Sequence, residues 1–335
     1  MTVRASTVAV VGATGLVGQE ILAVLAERRF PLTDVRAISS SASEGSRVSF
    51  AEQQLRVGAL SEDVLRGAGV VFFAAGSDAS LRYAPAAAAA GAVVIDTSGC
   101  FADDPAVPLI VPEVNARILS PSSATRLVTV AGGGAAALAA VLKPLDEAAG
   151  IKSVSAATYE PASRMGHRGV SELGRQTVAL LNGQSAKEAE FERQLAFNCI
   201  PEIGDIDSEG HSAAERALTV SLRRVLDRPE LQVVVTAVQV PVFFGLGVTA
   251  VVETERPLGA RDALAVLREA PGLLLAGEDQ PCAALLDVVG SDAIHVGRVR
   301  GDPARPTSLC IWAAIDNVRK AAAFNAVTIA ERMLR

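Results

Sequence analysis

Three closely spaced glycines at positions 12, 15 and 18 are the first residues of this chain whose type and spacing suggest chemistry. They lie in the segment GATGLVG, after the apolar run at residues 7–11 and before apolar residues at helical spacing. A glycine turn between a strand and a helix directs backbone amides and the positive helix end at a phosphate. The segment therefore predicts nucleotide-binding ancestry, the alternative being a tight turn that binds nothing.

Four cysteines and three histidines are the other residues that could do chemistry. The cysteines are far apart, form no CxxC pair and share no metal-ligand spacing with the histidines, so we expect no metal site. We interpret Cys199, Cys282 and Cys310 as small buried hydrophobic residues. Thiols without disulfide or metal spacing favour a reducing, cytoplasmic setting.

The elements that must position these residues form two groups. In the first half, short apolar runs alternate with helical or turn-rich segments, which predicts a parallel sheet with crossover helices. These runs lie at residues 7–11, 35–38, 70–74, 93–96 and 127–131. Beyond about residue 145, β-rich runs predict a second, mixed sheet, at residues 153–159, 232–244, 248–254, 294–300 and 309–315, with helices at 170–181 and 261–267.

The predicted fold class is α/β, with an N-terminal Rossmann-type doubly wound parallel sheet and a second α+β domain. Residues 317–334 have helical periodicity and are expected to return to the first domain. We therefore assign residues 1–132 and 317–335 to the dinucleotide-binding domain and residues 133–316 to the second domain.

Charge and hydropathy exclude two kinds of partner. The net charge of −6 provides no positive field for phosphate backbones, so we expect no nucleic acid partner. The apolar stretch at residues 128–142 is interrupted by glycines and stopped by Lys143, whereas a membrane span needs about 20 apolar residues. We expect no membrane partner, and the N-terminal segment predicts a first strand without a signal cleavage site.

Longer motifs extend along nearly the whole chain. They are FFAAGSDAS (72–80), DTSGCF (96–101), VPLIVPEVN (107–115), LKPL (142–145), QLAFNCIPEIGD (194–205), VPVFFG (240–245) and DNVRKAAAFNA (316–326). With GATGLVG, they resemble the aspartate-β-semialdehyde dehydrogenase family in order and spacing. The resemblance implies a homodimer that pairs through the second domain. It also implies reduction of an acyl phosphate by NADPH through a cysteine thioester, assisted by histidine and by cationic groups.

The residues at the family's catalytic positions are replaced. Counting back from LKPL places Gly133 of VAGGGA at the nucleophilic cysteine, and the family's histidine corresponds to Leu246. Two arginines correspond to Gln239 and Ala102, and a glutamine corresponds to Glu160. The loss of cations and the gain of a carboxylate oppose an anionic substrate. The chain thus resembles usg-type homologues that lack the catalytic cysteine.

The positions expected to bind the cofactor agree better with the family pattern. The residues expected to hold NADP or NAD are Gly12, Thr14, Gly15, Leu16, Val17, Ser39, Ser40, Gly76 and, by resemblance, Asn325. No acidic residue ends the second strand to bind a ribose 2′-hydroxyl, and the family's adenosine-loop arginine corresponds to Ala42. The serines could accept a 2′-phosphate, with Arg36 and Arg47 as the cations near in sequence, which favours NADP.

These patterns leave three hypotheses for function. The leading one is a catalytically silent homologue kept as a dimeric nucleotide-binding or partner-binding protein. The second is an active NAD(P)-dependent oxidoreductase on another substrate, in which Cys100 is activated by His167 beside Arg164 and Arg168. In the alternative without catalysis, Cys100 only fills space and His167 is a polar loop residue. The third hypothesis is a subunit that associates with a true dehydrogenase.

Overall fold

The computed structural model describes residues 6–119, 125–277 and 280–334. The chain divides into two compact units, Met1–Gly132 with Ala321–Arg335, and Gly133–Lys320. The second crossing lies four residues beyond the predicted boundary at 316/317. Residues before it are anchored to the second unit, because Asp316 accepts hydrogen bonds from the amides of Gly290 and Val318, and Asn317 donates one to Ser163.

The first unit contains a parallel sheet of seven strands in the order β5-β2-β1-β6-β7-β9-β8. The strands of this unit are β1 (Ser6–Val11), β2 (Leu32–Ser39), β3 (Arg47–Phe50), β4 (Gln53–Arg56), β5 (Gly58–Ala59), β6 (Val70–Phe73), β7 (Val93–Asp96), β8 (Leu109–Ile110) and β9 (Leu127–Val130). Strands β3 and β4 form a separate antiparallel hairpin. The helices are α1 (Leu16–Glu27), α2 (Glu62–Leu65) and α3 (Ser77–Ala89). The predicted doubly wound fold is confirmed.

The apolar strands of this sheet are buried on both faces. Successive side chains of a strand point to opposite faces, and in β1 Val8 and Val10 join one buried cluster while Ala9 and Val11 join another. The first cluster includes side chains of α1 and the second includes side chains of α3. Near-continuous apolar runs are typical of such two-sided burial.

The second unit contains a mixed sheet in the order β11-β10-β12-β15-β14-β13. Its helices and strands are α4 (Gly133–Ala149), β10 (Ile151–Glu160), α5 (Gly166–Leu181), α6 (Ala213–Leu226), β11 (Gln232–Gln239), β12 (Leu246–Thr254), α7 (Ala260–Arg268), β13 (Leu273–Leu275), β14 (Ile294–Asp302) and β15 (Arg305–Ile315). Helices α4, α6 and α7 pack against these strands. The predicted second α+β domain is confirmed.

One predicted strand, residues 232–244, is wrong beyond Gln239. Strand β11 ends there, and the chain turns before β12 begins at Leu246. Pro241 lies in this turn and has no amide hydrogen to donate to a ladder. Gly245 has a φ of 86°, and a Cβ atom there would lie 2.1 Å from the carbonyl oxygen of Leu285. The apolar residues at 240–244 therefore belong to a turn.

Part of one sheet face in the second unit has exposed apolar side chains. Val234 of β11 is 65% exposed and Val251 of β12 is 36% exposed, whereas the alternating neighbours Val235 and Val252 are buried. Ser155 of β10 lies between the two exposed valines in the strand register. The period of two indicates a sheet face with helices on one side only.

The predicted C-terminal helical segment has two parts. A π-helix spans Arg319–Phe324, and α8 (Asn325–Leu334) follows it. Residues of α8 join the buried cluster that contains α1, so the chain returns to the first unit as expected. Within the described parts of the chain, no helix is long and apolar enough to cross a bilayer.

Candidate functional site

The glycine turn of the first unit has a backbone shape that excludes larger residues. Gly12 has a φ of 86°, and a Cβ atom there would lie 2.4 Å from the carbonyl oxygen of Ala74. A Cβ atom on Gly18 would lie 2.1 Å from the carbonyl oxygen of Gly12. Gly15 forms the N-cap of α1 without a side-chain cap. The turn therefore packs closely against the start of α1 and leaves the first amides of this helix without a side-chain cap. Binding of an anion by helix amides requires such an arrangement.

Hydrogen bonds connect this turn to the carboxyl end of β2. The amides of Gly12 and Ala13 donate to the carbonyl of Ile38, at 2.8 and 3.0 Å. The hydroxyls of Thr14 and Ser39 share a hydrogen bond of 2.8 Å. Leu16 and Val17, at the start of α1, are partly exposed, as is Thr14. In doubly wound folds, nucleotides bind outside the carboxyl ends of such strands.

The remaining predicted cofactor residues also belong to the first unit. Ser40 is exposed directly after β2, and Gly76 is exposed after β6 at the N-cap of α3. Asn325 is fully buried as the first residue of α8. Arg36 donates to the carbonyls of Val64 and Arg66, so its guanidinium group is already engaged.

In the second unit, Gly133 is the first residue of α4. Gly132 before it is exposed and Gly134 after it is buried. A Cβ atom on Gly134 would lie 2.9 Å from Cδ1 of Leu218 and 3.7 Å from Oε1 of Glu160. The α4 terminus therefore provides no side chain from Gly133, and the Glu160 carboxyl group lies beside it.

The Glu160 carboxyl group is held in an environment that disfavours its charge. Burial raises the pKa of Glu160 above its ordinary value, and the positive charge of Arg164 opposes this shift. A carboxyl group with a raised pKa retains its proton to higher pH and can then donate a hydrogen bond. An anionic ligand at the same helix end would favour the protonated form further.

Gln239 and Leu246, the residues expected at the family's arginine and histidine positions, are buried. Gln239 is 4% exposed, its Nε2 donates to the Glu160 carbonyl at 2.7 Å, and its backbone pairs with Ile200. Leu246 is 2% exposed at the start of β12. Ala102 belongs to the first unit, in the turn after β7, where its amide donates to the Gly99 carbonyl. None of the three carries a titratable or cationic group.

The proposed alternative pair, Cys100 and His167, divides between the two units. Burial raises the pKa of the Cys100 thiol, the Ser98 side chain lowers it and the Asp96 charge raises it. Cys100 packs beside the apolar cluster of α3, whereas His167 is exposed near the start of α5, as are Arg164 and Arg168. The surroundings of Cys100 thus favour the thiol over the nucleophilic thiolate.

Other cysteine and metal chemistry is not evident in the described residues. All four cysteines are free thiols. Cys199 is exposed and Cys282 and Cys310 are only partly buried, so the expectation that these three residues are buried is wrong. In this part of the chain no group of three or more His, Cys, Asp and Glu residues is arranged to hold a metal ion.

Two domain families match the chain in the order of its units. The semialdehyde dehydrogenase NAD binding domain matches residues 7–121, and the semialdehyde dehydrogenase dimerisation domain matches residues 142–320. The chain belongs to the aspartate-semialdehyde dehydrogenase family. This membership agrees with the resemblance seen in the sequence motifs.

Relatives in the aspartate-semialdehyde dehydrogenase family match almost end to end. A USG-1 protein homolog from Azotobacter vinelandii is 40% identical over 98% of this chain and 97% of its own. Aspartate-semialdehyde dehydrogenase 2 from Vibrio cholerae is 37% identical over the same shares. The crystal structure of aspartate semialdehyde dehydrogenase II from Vibrio cholerae, complexed with ASA, has a TM-score of 0.95 at 36% identity, covering 99% of each chain.

Sequence reasoning missed two features near these candidate residues. Leu218 of α6 lies under the α4 terminus, but α6 was not predicted. Its signal was the capping box, in which the side chain of Ser212 and that of Glu215 each accept a backbone hydrogen bond. The second missed feature is Arg56, which the β3–β4 hairpin places opposite Arg47.

Proposed function

We propose that this family member does not reduce an acyl phosphate through a cysteine thioester, and that it functions as a homodimeric nucleotide-binding or partner-binding protein. The proposal depends mainly on what the structure shows at the start of α4. Gly133 provides no side chain there, and the Glu160 carboxyl group lies at the same helix end. A thioester needs a nucleophile with a deprotonated side chain, which glycine cannot supply.

The groups that assist this chemistry are also absent from the proposed positions. Leu246 can neither donate nor accept a proton, and the amide of Gln239 is engaged with the Glu160 carbonyl. In its charged form, Glu160 opposes the binding of a carboxylate or phosphate beside it. In another covalent-catalysis enzyme, loss of the nucleophile alone costs about 10⁶ in turnover, so Gly133 by itself is enough to suppress the reaction.

Retention of nucleotide binding is supported by the turn in the first unit. Its glycines permit close approach of the backbone, since a Cβ atom at position 12 would collide with the Ala74 carbonyl. The α1 amides and the β2 end would hold the pyrophosphate and the ribose through residues 12–17, Ser39 and Ser40. Bound there, NADP or NAD would supply redox chemistry to a partner reaction or act only as a ligand.

Homodimer formation is supported by the second unit. Residues 142–320 match a dimerisation domain, and the sheet of this unit exposes Val234 and Val251 in register with Ser155. An aliphatic patch on an open sheet face is stabilised when a second copy covers it.

The four free thiols support the cytoplasmic setting that the cysteine pattern predicts.

Two measurements on the purified protein test the proposal. Turnover of aspartate semialdehyde with phosphate and NADP is expected to be at least about 10⁴-fold below that of an active relative assayed in parallel. Calorimetric titration with NADPH and NADH is expected to show binding. Turnover close to that of the active relative would refute the first statement, and absence of any binding would refute nucleotide retention.

Two alternative functions are distinguished from the proposal by their own measurements. Turnover of another substrate that disappears in Cys100→Ala would favour an active oxidoreductase that uses Cys100. A mixed dimer with an active dehydrogenase, detected by light scattering of the mixture, would favour a role as an associated subunit.

A further inference from the structure

A serine and a histidine of the second unit form a close hydrogen-bonded pair away from the start of α4. Ser291 lies in the turn before β14, and His295 is the second residue of that strand. The Oγ atom of Ser291 is 2.8 Å from Nε2 of His295, and both residues are partly exposed. A hydroxyl group in contact with an imidazole nitrogen is the arrangement that activates serine nucleophiles.

The direction of this hydrogen bond follows from the other partner of the hydroxyl group. The Ala293 amide donates to Oγ of Ser291 at 3.2 Å, and an amide N–H can only donate. The hydroxyl hydrogen therefore stays available for Nε2 of His295. Burial lowers the pKa of His295 more than the charge of Asp287 raises it, which favours the neutral imidazole. A neutral imidazole in contact with the hydroxyl group is the form that takes up the serine proton.

The fold fixes the positions of both members of the pair. Gly290 has a φ of 82°, and its amide donates to Oδ2 of the buried Asp316 at 2.7 Å. The amide of Ser291 donates to the Val288 carbonyl, which closes the turn. His295 is held by strand pairing between β13 and β15. A nucleophile and a base that the fold already positions lose little entropy when they react.

The surface beside Ser291 is open and partly apolar. A Cβ atom on Gly290 would meet open space, so a ligand can approach this side of the turn. Two side chains of the same segment, Leu286 and Val289, are 81% and 42% exposed. Aliphatic side chains next to a nucleophile can cover a short acyl chain and remove part of its surface from water.

We propose that Ser291 and His295 form a second site, which hydrolyses short-chain acyl esters. Oγ of Ser291 attacks the ester carbonyl carbon, Nε2 of His295 takes the hydroxyl proton, and the alcohol leaves with that proton. A water molecule then attacks the acyl-serine ester and gives a proton to Nε2, which returns it to Oγ as the carboxylic acid leaves. Ester and water become acid and alcohol without oxidation or reduction, so the reaction is independent of the proposed nucleotide binding.

Labelling of the full-length protein with a fluorophosphonate, followed by peptide mass spectrometry, measures the reactivity of each serine. Ser291 should be labelled at least about a hundredfold faster than Ser49, an exposed serine whose hydroxyl accepts from the Gln54 amide. His295→Gln should slow the labelling of Ser291 by about a hundredfold, because it removes the base. His211→Gln is the matched control, since His211 is an exposed histidine before α6, and it should leave the rate unchanged.

Equal labelling of Ser291 and Ser49 in the wild type would overturn the proposal, and this comparison needs no variant. A thermal melt shows whether His295→Gln is folded. A folded His295→Gln protein that is labelled at the wild-type rate would also overturn it, as would labelling of heat-unfolded wild type at the rate of the folded protein.

Turnover of p-nitrophenyl esters tests the acyl specificity. The kcat/KM for p-nitrophenyl butyrate should exceed that for the acetate by about threefold, because the longer chain buries more apolar surface. Leu286→Asn should remove this preference, whereas Leu181→Asn, at a similarly exposed leucine of α5, should keep it. Hydrolysis that persists in Ser291→Ala, or a preference unchanged by Leu286→Asn, would contradict the assigned site.

Discussion

Placing a cysteine at the start of α4 is the most direct test of the proposal that this site lacks the family's thioester chemistry. In Gly133→Cys the new thiol begins the helix, where the helix dipole stabilises a thiolate by about 0.5–1 kcal/mol. Glu160 opposes this stabilisation, since its Oε1 would lie 3.7 Å from a Cβ atom placed on the next residue, Gly134. Two negative charges roughly 5 Å apart repel by about 3 kcal/mol at an effective dielectric constant of ~20.

The repulsion exceeds the helix contribution, so the thiolate and the carboxylate should not both be ionised. Burial already raises the pKa of Glu160, and proton uptake by this group relieves part of the repulsion. We therefore expect Gly133→Cys with Glu160→Gln to be alkylated at pH 7 about ten- to a hundredfold faster than Gly133→Cys alone. The turnover of both variants should stay at least about 10⁴-fold below that of an active relative, because Leu246 cannot transfer a proton as a histidine would.

Peptide mass spectrometry after timed iodoacetamide treatment measures alkylation at position 133 separately from the other cysteines. Gly133→Cys with Glu147→Gln is the matched control, because Glu147 belongs to the far end of the same helix, about 21 Å along its axis. It should be alkylated at the rate of Gly133→Cys. Turnover restored by Gly133→Cys alone would refute the reasoning, because the other replacements would then be unimportant.

Three further predictions concern the nucleotide turn, the buried carboxyl group and the open sheet face. Gly12→Ala should lower the melting temperature by several degrees and weaken nucleotide binding more than tenfold, because of the positive φ and the collision with Ala74; Gly76→Ala, whose Cβ atom would meet open space, should keep the melting temperature. Glu160→Gln should raise stability in urea at pH 7–8, with no gain below pH 4.5, because a raised carboxyl pKa means that stability falls as pH rises through the folded pKa. If the difference in stability between Glu160→Gln and the wild type is the same below pH 4.5 and at pH 7–8, this cause is wrong. Val251→Asp should convert the dimer to a monomer in light scattering, and a dimer that persists would place the interface elsewhere.

Several strands could be predicted because their signals are local. The run at residues 93–96 has the same bounds in the sequence prediction and in β7, and residues 7–11 differ from β1 by one residue. Residues 8–11 and 93–95 of these runs are apolar and buried, as two-sided burial in a parallel sheet requires. The β3–β4 hairpin could not be found this way, because its strands carry many polar residues and its turn uses Ala51 at a φ of 49° instead of an Asn-Gly pair.

The candidate site was predictable only in part. Position within the motif predicts Gly133 at the place of the family's nucleophile, and the structure adds that this residue begins α4. The neighbourhood of Glu160 was not predictable, because it depends on β10 ending beside α4 and on Gln239 of β11. Such contacts arise from sheet register, which local patterns do not specify.

The sequence by itself predicted the missing nucleophile, since a glycine has no side chain in any fold, and it predicted two domains of helices and strands through its apolar periodicity. Only the tertiary structure decided which charges meet. Glu160 lies beside the α4 terminus, and Arg47 faces Arg56 next to the end of β2. These pairs join residues from separate strands and helices, so their free energies depend on distances that the chain acquires only when it folds.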